Sequence, residues 1–187
     1  MSTSPPATAT LDDLYAVDGK AELIAGRIVR FMPSGDAPSH AAFEIAVRLR
    51  EYAQKSRVGK AYADGVGYAL SRPLTNGRQS FCPDASYYVG SRPKNRMRFI
   101  EGVPTLAVEV RSEGDYGEAA EERLAAKRAD YFEAGTQVVW DVDPLARTVA
   151  VYRSSSPERP DLISAGQVAD AEPVLPGFTV PADDIFA

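Results

Sequence analysis

The chain has 187 residues, 44% apolar and 25% charged, which is globular usage and enough length for one α/β core. A net charge of −5 argues against a globally basic nucleic-acid coat, although a local basic patch on one face is compatible with it. A single cysteine, Cys82, excludes an intrachain disulfide and a cysteine metal cage, and a single histidine, His40, excludes a multi-histidine zinc site.

The Ser/Thr/Pro/Ala-rich stretch Met1–Thr10 lacks the basic and apolar regions of a signal peptide, so it reads as a flexible tail ahead of one domain spanning 11–187. No apolar run reaches the length of a membrane span, and the expected location is the reducing cytoplasm. Leu11–Tyr15 reads as a short helical turn. Ala21–Ile24 and Arg27–Phe31, joined by Ala25-Gly26, read as a β-hairpin, because glycine supplies the positive φ of a tight turn. Ser39 is the expected N-cap of a helix from His40 to Ser56, with Phe43, Ala46, Leu49 or Val47, Tyr52 and Ala53 as its buried stripe and Gly59 as its stop. Ala61–Leu70 is a strand interrupted by Gly65 and Gly67, Ser71–Ser80 a loop, and Pro83–Val89 a strand. Ser91–Gly102 is a basic exposed connection carrying Arg92, Lys94, Arg96 and Arg98. Thr105–Val110 is a buried strand, and a second helix runs from Glu118 to Ala134, stopped by Gly135. Gln137–Val142 and Thr148–Arg153 are strands about the turn Asp143-Pro144, and Ser154–Pro157 ends the second of them. The tail Pro173–Ala187 is expected to pack across the sheet. Together the elements describe an α+β protein with a mixed sheet flanked by helices.

Three residues could carry chemistry. Glu109 lies inside the apolar run Leu106–Val110, where a carboxylate is costly without a partner. Strand alternation places it with Ala107 and Arg111, opposite Leu106, Val108 and Val110. It therefore belongs either to a site or to a solvated face bearing an Arg–Glu pair. Asp84 follows Pro83, either capping a turn or joining Glu109 on a hard cation. On the second helix Ala120, Leu124, Lys127 and Tyr131 fall within an arc of roughly 60°. Lys127 thus sits on the apolar stripe, where it either snorkels to water or neutralises a buried acidic site. Two carboxylates on adjacent strands suit magnesium or manganese, and a nearby lysine suits a developing phosphoryl charge.

These residues recur in a telling order. Glu22-Leu23-Ile24-Ala25-Gly26 is followed by His40, Pro83-Asp84 and Glu109-Val110-Arg111-Ser112, then by Lys127 with Tyr131 and Gly135, then by Trp140-Asp141-Val142-Asp143-Pro144. The succession, from about Glu22 to Phe178, resembles the Uma2 family, a branch of the PD-(D/E)xK nuclease superfamily. The resemblance implies a restriction-endonuclease-like fold and a magnesium- or manganese-dependent DNA endonuclease; a homodimer is expected for such an activity, because cutting both strands of a duplex is simplest with two sites and two-fold pairing is the commonest assembly. A catalytically inactive binding module on that fold and a phosphoesterase acting on another substrate are the alternatives. It implies Asp84 and Glu109 as metal ligands, with Glu22 and Glu44 as further acidic groups. The lysine expected two residues after Glu109 is Arg111 here, and Lys127 on the following helix matches its displaced position. His40 matches a helix-opening histidine.

Overall fold

The structure, a computed structural model, describes residues 8–187. Most of the expected tail, Met1–Ala7, lies outside the described residues; of its remainder, the Ala9 N–H bonds to the Gly26 carbonyl and Thr10 caps the first helix. In chain order the elements are α1 (Leu11–Tyr15), β1 (Ala21–Ile24), β2 (Arg27–Arg30), α2 (Asp36–Ser56), β3 (Lys60–Ala63), β4 (Tyr68–Ala69), β5 (Ser80–Phe81), β6 (Ala85–Tyr88) and β7 (Ile100–Glu101). Then come β8 (Leu106–Val110), α3 (Glu118–Ala134), β9 (Val138–Asp143), β10 (Thr148–Arg153), β11 (Ser156–Ile163), β12 (Val168–Asp170), β13 (Thr179–Pro181) and α4 (Ala182–Ile185).

Six strands form the main sheet in the order β11-β10-β9-β8-β6-β3. Only β8 and β9 run parallel, because α3 connects them and returns the chain to the same end of the sheet. One face carries Leu106, Val108, Trp140 and Val142, and it packs on α2 (Ala41, Ile45, Leu49) and on the C-terminal segment through Leu175, Phe178 and Ile185. The expected packing of the tail across the sheet is therefore seen, with Phe178 stacked on Trp140 at a centroid distance of 5.8 Å. The other face carries Ala107 and Val139, covered by Tyr131 of α3 and by a small sheet of order β5-β4-β7 that contributes Tyr68, Phe81 and Ile100. Because both faces are covered, the Ala107/Glu109 side of β8 is interior and not a solvated edge.

The N-terminal hairpin turns at Ala25 (φ 48°) and Gly26 (φ 68°), the two positive φ values a tight hairpin turn needs. It is stitched to the small sheet: Leu23 N–H donates to Ser80 Oγ (2.7 Å) and Gln79 N–H to the Leu23 carbonyl (2.8 Å). That attachment carries Glu22 to the covered face.

Several boundaries differ from expectation. α2 begins at Asp36, not His40, with Gly35 rather than Ser39 at its cap; Pro38 falls in the first turn, where its missing N–H costs nothing. It ends at Arg57 in the left-handed region (φ 57°), before Gly59. Phe43 is 61% exposed, and the buried stripe is Ala41, Ala42, Ile45, Ala46 and Leu49. The expected strand 61–70 divides at Gly65 (φ 93°), so that its halves join different sheets. β11 exists despite Pro157 and Pro160, because it is an exposed edge strand with one side free of ladder bonds. α3 and β10 have the expected bounds.

Candidate active site

Antiparallel pairing of β6 with β8 sets Ala85 opposite Val108, which brings the preceding Asp84 alongside Glu109. Asp84 donates its N–H to the Val108 carbonyl (2.9 Å), and its Oδ2 accepts from the Val110 N–H (2.8 Å), so the carboxylate is pinned across the strand end. Its Oδ1 faces Lys20 Nζ at 2.6 Å. Glu109 accepts from Lys127 Nζ (2.8 Å) and from the Tyr131 hydroxyl (2.6 Å). Lys127 and Tyr131 are one helical turn apart on α3, so both reach the same strand residue.

Lys127 also lies 3.0 Å from Glu22 Oε1 and so bridges two carboxylates from different elements. Glu22 is fully buried; it accepts from the Cys82 N–H (2.9 Å) and is paired with Arg78, whose Nε donates to Asp130 (2.6 Å). Lys20, Glu22, Arg78, Asp84, Glu109, Lys127 and Asp130 line one cavity of about 510 Å³; Tyr131 lies buried behind Glu109, Asp64 is the second partner of Lys20 outside the lining, and Phe31 stands over Lys127 at the rim.

Burial pushes the Glu109 carboxyl up to about 7; Lys127 opposes the rise, while Asp84 and Glu22 add to it. Burial would raise Glu22 too, but Lys127 and Arg78 outweigh it and hold that carboxyl below its ordinary value. Burial opposes the charge on Lys127, yet Glu109 and Glu22 raise its pKa and keep it an ammonium. The Tyr131 phenol, buried and facing Glu109, is raised well above its ordinary value and serves as a donor.

Two ion-pair groups meet here, Lys20 with Asp64 and Asp84, and Arg78 and Lys127 with Glu22, Glu109 and Asp130, and the lining of the cavity itself holds five acidic residues (Glu22, Asp84, Glu109, Asp115, Asp130) against four basic ones (Lys20, Arg78, Arg123, Lys127). The excess of one acidic residue in the lining and the carboxylate oxygens of Asp84 and Glu109 fit a hard dication. Among the described residues no three acidic, cysteine or histidine side chains form a ready-made metal cage. Two carboxylates are as many protein ligands as magnesium commonly takes, the rest of its shell being water and phosphate.

Of the residues singled out from the sequence, Asp84, Glu109, Lys127 and Glu22 converge here. Glu44 does not: it sits half-buried on α2, which packs on the opposite face of the sheet. His40 is exposed, one turn inside α2, and opens neither the helix nor the cavity. Arg111 makes no pair with Glu109; it forks onto Asp141 (2.8 and 3.0 Å) and pairs with Glu121. Lys20, Asp64 and Arg78 were not singled out. Lys20 and Asp64 flank strands, and Arg78 lies in a polar loop with no periodicity to mark it as 6% exposed. Glu22 carries the same signature as Glu109, a carboxylate within an apolar run.

The Uma2 family model, described as "Putative restriction endonuclease", matches residues 9–183. The structure is similar to the crystal structure of "a putative nuclease belonging to DUF820" from Anabaena variabilis, with a TM-score of 0.72 and 20% identity over 95% of this chain and 97% of that one. At that identity the likeness establishes the fold. No curated protein matches the chain. Among the described residues no helix is long and apolar enough to cross a membrane.

Proposed function

The chain belongs to the Uma2 family, and from that premise we propose that it is a magnesium- or manganese-dependent endonuclease that hydrolyses phosphodiester bonds of DNA at the Asp84–Glu109–Lys127 site. One observation carries the reading. Two carboxylates from adjacent strands and an ammonium from the crossover helix meet in a single cavity, with more negative charge than the protein's own cations balance.

Asp84 and Glu109 would hold the ion. When bound it would supply Lewis-acid stabilisation of the phosphoryl oxygens and acidify a water. Asp84 is kept in place by the Val110 N–H, and Glu109 by the Tyr131 hydroxyl, so both carboxylates are oriented before substrate arrives. Lys127 remains charged in a largely water-excluded position, where an ammonium aimed at a developing negative charge acts most strongly. Glu22 anchors Lys127 from the far side, and Arg78 holds Glu22. A homodimer belongs to this reading, because two sites related by a two-fold axis suit the two strands of a duplex.

Plasmid DNA should be nicked or cut only with added magnesium or manganese, and the assay belongs at low ionic strength, where the attraction of a chain of net charge −5 for DNA is least screened. Asp84→Asn and Glu109→Gln should abolish cleavage. Manganese binding without cleavage of any DNA would instead favour a catalytically inactive module or a phosphoesterase acting on another substrate. Equal cleavage by wild type and Asp84→Asn would refute the reading.

A further inference from the structure

Lys20 lies in none of the motifs above, yet its ammonium is 2.6 Å from Asp84 Oδ1 and 2.6 Å from Asp64 Oδ1. Its two partners differ. The Asp84 side chain is 14% exposed and faces the cavity, whereas that of Asp64 is 51% exposed and lies in the turn after β3. Both are held independently of Lys20: Asp84 accepts from the Val110 N–H, and Asp64 Oδ1 accepts from the Gly65 N–H at 2.7 Å. The backbone of Lys20 is fixed as well, its carbonyl accepting from the Phe31 N–H (3.0 Å). Each carboxylate is thus tied to a backbone N–H, and Lys20 reaches both through a flexible four-carbon stem.

A dication that takes Asp84 meets an ammonium already in contact with the oxygen it needs. Two cations cannot share that contact without strong repulsion. On the metal-dependent reading of the site, we propose that Lys20 and Asp64 form a counter-ion relay. The ion displaces the Lys20 ammonium from Asp84 onto Asp64, and the exchange sets how tightly the ion is held. Lys20 is then a positioning residue that acts through Asp84. A lysine suits this better than an arginine, because its point charge on a flexible stem changes partner without losing a forked pair. The relay also explains why Asp64 makes a close contact while remaining half open to water: its role is to receive the ammonium.

Calorimetric titration with manganese alone, without DNA, tests the relay. Lys20→Met keeps the stem and removes the competing charge, so it should bind manganese about tenfold more tightly, in line with the coupling of charges in contact. Lys20→Gln serves if the Met variant unfolds, with thermal unfolding in the absence of metal as the check. Lys20→Arg, which keeps the charge, should not tighten binding. Asp64→Asn should weaken binding about tenfold on the same grounds, because the ammonium loses its second seat. In the Lys20→Met background Asp64→Asn should have no further effect. Unchanged or weaker binding by Lys20→Met would overturn the relay. So would an equal loss from Asp64→Asn in both backgrounds, which would make Asp64 a ligand of the ion. Asp84→Asn separates the two levels. Binding lost there but unmoved by Lys20→Met refutes the relay alone; binding retained there refutes the metal site and the relay with it.

Discussion

Glu109 on β8 and Asp141 on β9 are register partners on the same face of the sheet, yet their surroundings differ in kind. Asp141 is 3% exposed; Arg111 forks onto both its oxygens, and Arg128 adds a third contact at 2.8 Å. With Glu121 the group holds two cations and two anions, a closed and neutral cluster. Glu109 faces a lysine and a phenol through single contacts, opens onto a cavity, and shares it with more carboxylates than cations. Arginine forks over a balanced set fix architecture, whereas lysine point charges over an acidic excess leave room for exchange with a cation. The burial of a charge does not separate the two roles; its stoichiometry and the geometry of its partners do.

That contrast can be broken in four ways, beginning with the largest effect. Asp141→Ala removes the buried carboxylate that two half-buried guanidinium groups share and should cost about 3–5 kcal/mol in urea unfolding. Glu109→Gln should cost far less, because it relieves repulsion among the carboxylates. Equal losses would erase the distinction. Next, Lys127→Met should lower single-turnover cleavage by roughly 10²–10³, the scale of removing one preorganised stabilising donor. Manganese binding should persist in that variant, since Lys127 is not an ion ligand. Third, Arg111→Lys restores the lysine two residues after Glu109 but cannot reproduce the fork on Asp141. It should cost about 1–3 kcal/mol of stability and leave cleavage unchanged; a gain in cleavage would mean that position 111 can serve the site. Last and smallest, Cys82 is 4% exposed beside Glu22, and burial pushes its thiol up to about 12. Labelling by a thiol reagent should therefore follow global unfolding and not local opening, as expected if the floor of the cavity is rigid.

What the sequence revealed and what it hid have physical reasons. The hairpin, α3, β8 and β10 were legible because alternation, helical periodicity and glycine stops agree locally. The start of α2 is hidden because Ser39 is a good N-cap residue whereas the actual cap, Gly35, makes no side-chain hydrogen bond, and β11 is hidden because its prolines read as a strand end although an edge strand tolerates them. Glu22, Asp84, Glu109 and Lys127 could be read as charges set in apolar patterns or in motif order. Lys20, Asp64 and Arg78 could not, because they lie in turns and loops where nothing local distinguishes a solvated charge from one that folding delivers to a site. Arg111 was legible as a residue but not as a partner: adjacency to Glu109 along one strand face says nothing of Asp141 on the next strand.

The central claim is that Asp84 and Glu109 jointly hold a divalent ion. Anomalous diffraction at the manganese edge, from crystals grown with manganese, tests it most directly. The expected result is one strong peak within coordination distance of a carboxylate oxygen from each residue, absent in Asp84→Asn crystals, with Lys127 still beside Glu109. A well-ordered site without a peak there, or a peak bound only by residues away from the cavity, would contradict it.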